Sequence, residues 1–190
     1  MPVGLGDSFA EVLRAAQAGG EWAFDILYRE LNPRLLRYFG SRVPTDAQDL
    51  AAETWMGAAR QIGSFSGGED DFRRWLFTIA HHRMVQHFRS AGRRRDVPVP
   101  FEALAGHADL PGADPADQVV GAASAQAAAA QIASLLSPDQ AEVVLLRVLG
   151  GMSVEEVAAV VGKRPGTVRV LQHRAIRKLA NENFPMEVTP

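Results

Sequence analysis

The sequence predicts an all-α chain of two small helical domains joined by a flexible linker. Apolar residues recur at helical spacing through most of the 190 residues, and no alternation of apolar and polar residues runs long enough to argue for a sheet. The exception is "RRRDVPVPFEALAGHADLPGADPADQ", with four prolines, scattered acids and no sustained stripe, which reads as a linker. The expected organisation is a domain over 1–95, a linker over 96–117, a second domain over 118–184 and a tail over 185–190, with no internal repeat.

A first helix is expected near 8 to 18, where Ser8 and Glu11 have capping-box spacing. The next runs from 21 to 40, with Pro33 bending or breaking it. A third spans 45 to 62, with Thr45 as N-cap partnered by Gln48, and a fourth spans 71 to 91 after the glycine-containing loop "SFSGGEDD". Beyond the linker come an alanine-rich helix near 117 to 136 and a helix from Pro138 to Leu149. The last two helices lie in "SVEEVAAVVGKRPGTVRV" and the residues after it. Ser153 caps the first of them while Glu156 reaches back, and Val154, Val157, Ala158 and Val161 form its apolar side. Gly162 stops that helix, Pro165 suits the first turn of the next, and the stripe resumes at Val168, Leu171, Ala175, Ile176 and Leu179.

Composition removes several classes of function. The absence of cysteine excludes disulfides and thiolate metal sites, and it permits a reducing compartment. "MPVGLGDSFAEVLRAA" has no basic start followed by an apolar run, which argues against a secretory signal. The uncharged stretch from Gln118 to Pro138 is rich in alanine but carries Gln126, Gln131 and three serines, so no membrane insertion is expected. A metal-dependent enzyme would draw on His81, His82 and His87, yet that spacing does not bring three histidines to one helical face and no HExxH motif helps. The expectation is no metal, no cofactor and no small-molecule ligand.

The net charge of -2 conceals two basic blocks. Phe72 to Arg95 holds seven arginines and no acid, and the six charges from Val157 to Ala180 are all positive. Between them, Asp96 to Leu146 contains no lysine or arginine, while Asp96, Glu102, Asp109, Asp114 and Asp117 crowd its first half. Such asymmetry points to polyanionic partners at two places.

In the second block, Arg169, His173 and Arg177 are spaced i, i+4, i+8 and line one face of the last helix, flanked by Arg174 and Lys178. A helix-turn-helix lays its second helix in the major groove, where arginine addresses guanine, glutamine addresses adenine and flanking cations meet phosphates. A solvated basic face is the plainer account, but the capping box, Gly162 turn, small Ala158 and basic second helix occurring together favour DNA. In the first block, Phe72, Leu76, Ile79, Ala80, Met84 and Phe88 form a buried stripe, leaving Arg74, His81, His82, Arg83, Gln86 and Arg89 largely outside. Basic and stackable groups on one helix suit unpaired strands, and the adjoining loop could close over an extruded base. Trp75 fits either the core or a stacking role. A third surface is acidic: Asp46, Asp49 and Glu53 recur at i, i+3, i+7, and Glu53 lies beyond the turn that the helix dipole explains. A protein partner with basic residues is the functional reading of that face.

The three surfaces in this order resemble the bacterial RNA polymerase sigma factors of the extracytoplasmic-function (ECF) group, within the sigma-70 family. "DAQDLAAETW" resembles region 2.2, "DFRRWLFTIAHHRMVQHFRSAGRR" resembles regions 2.3 and 2.4, and "LSPDQAEVVLLRVLGGMSVEEVAAVVGKRPGTVRVLQHRAIRKL" resembles region 4. The resemblance implies a cytoplasmic promoter-specificity subunit that is not an enzyme by itself. Core RNA polymerase would be held through its β′ clamp helices and β flap, with Asp46, Asp49, Leu50, Glu53, Thr54 and Trp55 on the clamp-binding side. Ser64, Phe65, Ser66, Trp75, His82, Arg83, Gln86 and Arg89 would open and read the promoter −10 element. Thr167, Arg169, Gln172, His173, Arg174, Arg177 and Lys178 would read the −35 element. The acidic linker would thread toward the polymerase cleft as a nucleic-acid mimic, and an anti-sigma factor would clamp the two domains and cover both faces. His82 and Gln86 stand where asparagine and aspartate are common in the family, which implies a different −10 preference. Ala51, Ala52 and Gly57 also depart from the common pattern, without loss of docking being expected. The rival readings are a LuxR-type helix-turn-helix regulator and an interaction protein with a degenerate sigma fold.

Overall fold

A computed structural model describes residues 5–94 and 116–182. Among them are eight α-helices and no strand: α1 (Phe9–Gln17), α2 (Glu21–Gly40), α3 (Ala47–Gln61), α4 (Glu69–Arg94), α5 (Ala116–Leu135), α6 (Pro138–Val148), α7 (Val154–Val161) and α8 (Pro165–Asn181). Most of the expected linker, up to residue 115, and the 185–190 tail lie outside the described residues.

Helices α1 to α4 form the first bundle. Phe9, Val12, Leu13 and Ala16 are buried at i, i+3, i+4, i+7 on α1, and Leu27, Leu31, Leu35 and Tyr38 continue the core along α2. Pro33 lies inside α2 without breaking it, because it faces solvent, where the carbonyl left without a donor meets water. Gly57 lets α3 approach α4, since a Cβ there would lie 3.3 Å from Ile79 Cγ2. Helices α6, α7 and α8 form the second bundle, closed by Val143, Leu146, Val157, Val168 and Ala175. Helix α5 touches both bundles: it packs along α2 as well as on α6 and α8.

The helix ends test local chemistry. Ser153 and Glu156 make the expected capping box, with Glu156 N–H donating to Ser153 Oγ at 3.2 Å and Ser153 N–H to Glu156 Oε2 at 2.6 Å. Gly162 then ends α7 at φ 66°, the left-handed cap that glycine adopts without penalty. Ser153→Ala is expected to lower the stability of the second bundle by about 1 kcal/mol, read as a lower thermal midpoint. The two other expected boxes do not form. Ser8 has helical backbone angles (φ −78°, ψ −15°) because a 3-10 turn, Gly6–Ser8, precedes α1, so its hydroxyl makes no cap bond. Thr45 lies inside a second 3-10 turn, Pro44–Asp46, which moves the N-cap of α3 to Asp46.

Candidate nucleic-acid interface

Helix α8 turns Val168 and Ala175 inward and leaves Thr167, Arg169, His173, Arg174, Arg177 and Lys178 exposed, with Gln172 half-buried. Arg169 Nη2 meets Glu155 Oε1 of α7 at 2.6 Å, both side chains being well exposed. Ile176, expected on the apolar stripe, is exposed instead, as is Val170, which lies among the cations. Val170 interrupts the basic pattern, so the sequence alone does not mark it as part of this face.

The second basic surface begins at the loop before α4. Gln17 Nε2 donates to the carbonyls of Ile62 and Phe65 at 3.0 and 2.8 Å, anchoring the segment that carries Ser64, Phe65 and Ser66. Phe65, Phe72 and Trp75 stack together with ring centroids 5.1 to 5.4 Å apart, so Trp75 is half-buried within an aromatic cluster at the loop's base. The helix starts at Glu69, two residues earlier than expected, because Asp71 Oδ2 accepts Gly68 N–H at 2.9 Å and organises the first turn. That backbone donor, with the Arg74 guanidinium, holds the exposed Asp71 carboxyl below its usual range. Along α4, His82, Gln86 and Arg89 are exposed and Arg83 is half-buried, its Nη1 bonded to Gln86 Oε1 at 3.3 Å. His81 and Phe88 exchange their expected places, His81 being buried and Phe88 exposed.

The acidic face adjoins this surface. Asp46, Asp49 and Glu53 line one cleft with Arg83, Gln86 and His87 of α4. Arg83 Nη1 lies 3.8 Å from Glu53 Oε2, and His87 Nε2 lies 3.4 Å from Asp46 Oδ2. Leu50 lines the same cleft although it is largely buried, whereas Thr54 and Trp55 do not line it. Each is buried: Thr54 Oγ1 donates to the Leu50 carbonyl at 2.7 Å, and Trp55 Nε1 donates to Asn32 Oδ1 at 3.2 Å. The Thr54 and Trp55 hydrogen bonds hold α3 in place within the bundle.

A sigma-70 region 2 model matches residues 27–94, and a sigma-70 region 4 model matches residues 127–179. The ECF RNA polymerase sigma factor SigD of Mycobacterium tuberculosis is 31% identical over 183 residues, an alignment covering 93% of this chain and 84% of SigD. The chain belongs to the ECF sigma factors. The ECF sigma factor BldN of Streptomyces coelicolor is 38% identical over 172 residues, covering 90% of this chain but 64% of BldN, so the chain spans a little under two thirds of that relative. The sigma factor RpoE of Bartonella quintana, in its co-crystal with the anti-sigma factor NepR, shares 26% identity with a TM-score of 0.53, covering 92% of each chain. In this sigma factor, region 2 therefore comprises most of α2 with α3 and α4, and region 4 comprises the second half of α5 with α6 to α8. Among the described residues no helix is long and apolar enough to cross a membrane, and no cluster of three or more potential ligands could hold a metal ion.

Proposed function

We propose that this chain binds core RNA polymerase and directs promoter-specific transcription initiation as a cytoplasmic, non-catalytic subunit. Asp46, Asp49 and Glu53 dock on the polymerase. Ser64 to Arg89 capture the melted −10 strand, with Trp75 and Phe65 as stacking surfaces. The exposed face of α8 reads the −35 element through Thr167, Arg169, Gln172, His173, Arg174, Arg177 and Lys178. An anti-sigma factor holds the protein inactive, as NepR is bound to RpoE. The observation that carries this reading is that the region 2 and region 4 matches fall on the two basic surfaces. Neither surface converges on catalytic groups; each presents cations and stackable rings to a polyanion.

The test is run-off transcription with purified bacterial core polymerase, this protein and pooled genomic fragments, with sequencing of transcript 5′ ends. Starts that share a two-part upstream element, and vanish in the Arg169→Ala, Arg174→Ala double variant, are expected. Core binding without initiation would favour the degenerate interaction protein, and neither activity would favour an ordinary helix-turn-helix regulator.

A further inference from the structure

The loop between α3 and α4 is held from outside by α1, a helix that precedes the residues matched by the region 2 model. Gln17 is the last residue of α1, and Gly19 at φ 86° turns the chain away directly after it. The Gln17 side chain is half-buried and its amide reaches the loop. Its two N–H bonds find two acceptors: Nε2 lies 3.0 Å from the Ile62 carbonyl oxygen and 2.8 Å from that of Phe65. The Ile62 carbonyl also accepts Phe65 N–H at 3.0 Å, so the amide closes a turn whose two ends are Ile62 and Phe65. Neighbouring contacts fix the flanks of this turn. Ile62 is buried, the Phe9 ring of α1 lies 5.9 Å from that of Phe72, and Gly6 N–H donates to Glu69 Oε2 at 2.9 Å at the start of α4. The Phe65 ring rests on Trp75 at 5.1 Å. Ser64 and the run from Ser66 to Gly68 stay exposed, and they are the part of the loop able to meet a ligand.

We propose that Gln17 is a positioning residue for capture of the −10 strand: its amide presets the backbone of Phe65, and with it the geometry in which Ser64, Phe65 and Ser66 meet an extruded base. The inference rests on the proposed promoter function for the identity of the captured strand, while the brace itself stands on the hydrogen bonds. Extruding a base costs unstacking, and a loop that had to order itself on contact would add the entropy of fixing Ile62 to Phe65. A turn already closed by Gln17 spares that second cost. The amide is not needed to keep α1 in place, because Phe9, Val12, Leu13 and Ala16 bury that helix in the bundle. Its chemistry is specific. Methionine keeps the length with no donor, and glutamate would set an anionic acceptor against two carbonyl oxygens. Lysine reaches as far and also offers several donors from one nitrogen.

The experiment compares Gln17→Met, Gln17→Glu and Gln17→Lys in the full chain by two readouts. Hydrogen exchange of the loop needs no DNA. Gln17→Met and Gln17→Glu are expected to speed exchange at the Phe65 to Gly68 amides about tenfold, for the loss of two neutral hydrogen bonds, while α2 keeps its unmutated rates. The second readout is open-complex formation by the reconstituted holoenzyme on a promoter fragment from the run-off screen, followed as permanganate reactivity of unpaired thymines in the −10 segment. Gln17→Met should lower opening about tenfold and Gln17→Glu further, whereas Gln17→Lys should recover most of it, with binding of the −35 duplex unchanged in all three. A purely structural amide would instead lower the thermal midpoint and leave opening intact well below that midpoint. Loop exchange in Gln17→Met no faster than in the unmutated protein would overturn the brace. Faster exchange with undiminished opening would overturn the positioning role. If the unmutated protein opens no fragment while loop exchange still responds to Gln17→Met, the brace stands and the promoter function fails.

Discussion

Replacing Phe72 with alanine is expected to lower the stability of region 2 by about 3–5 kcal/mol, the range for removing a buried phenylalanine. The ring is fully buried and stands at the meeting point of three elements: Phe9 of α1 at 5.9 Å, Phe65 of the loop at 5.3 Å and Trp75 at 5.4 Å between centroids. No single neighbour can move in to fill the space without leaving another contact. The loss is a large share of the roughly 5–15 kcal/mol that holds an ordinary domain together. It should appear as a lower urea midpoint with a similar denaturant slope. Phe88→Ala is the control, since that ring is 43% exposed and its removal leaves no internal cavity. Equal midpoint shifts in the two variants would contradict the aromatic cluster. Phe72→Ala should also weaken −10 strand capture at temperatures where the protein is still folded, because Phe65 and Trp75 lose their common support.

Neutralising Arg174, Arg177 and Lys178 together should reduce the salt dependence of −35 duplex binding. Each phosphate contact contributes about 0.9 to the slope of log affinity against log salt, so three lost contacts reduce it by about 2.7. Between 50 and 200 mM salt the fall in affinity then becomes about fortyfold shallower. All three side chains are exposed on α8, so helical circular dichroism should not change. Arg169→Ala should alter the slope less than Arg174→Ala, because Glu155 at 2.6 Å already neutralises part of the Arg169 charge. Fluorescence anisotropy titrations at several salt concentrations read this directly, and an unchanged slope in the triple variant would remove α8 from the duplex.

The readable parts of this chain were those governed by neighbours in sequence. The α7 and α8 pair followed from Ser153, Glu156, Gly162 and Pro165, each acting within a turn or two of itself. The same kind of signal misled at Ser8 and Thr45, where short 3-10 turns alter the backbone before the helix begins and the side chain cannot reach the free N–H groups. The exposed basic face of α8 is legible from periodicity, whereas the burial of Thr54 and Trp55 follows from packing that the local motif does not show. The buried contact of Glu142 on α6 with Tyr38, Arg42 and His81 of the first bundle is invisible in the sequence. Glu142 looks like an ordinary helix-surface acid, and its partners Tyr38, Arg42 and His81 are 104, 100 and 61 residues away. Periodicity alone therefore puts His81 on the outside of α4, since a buried histidine is apparent only once its carboxylate partner is known.

The contact of α3 with α4 at Gly57 has a mechanical consequence. Helix α4 is 26 residues long, about 39 Å at ~1.5 Å rise per residue. The Ile79 side chain seated against Gly57 couples the two helices as one stiff unit, with the acidic face beside the C-terminal half of α4. A tilt of about 10° about Arg83, the α4 residue beside Glu53, would swing the start of α4 at Glu69, about 21 Å away, by about 4 Å, roughly one base-pair step. On the proposed function, a change in the angle at which Asp49 and Glu53 are held would move the aromatic loop at Phe65 more than Gln86 and Arg89, which lie within two turns of that face, and would shift promoter register without altering any residue proposed to touch DNA.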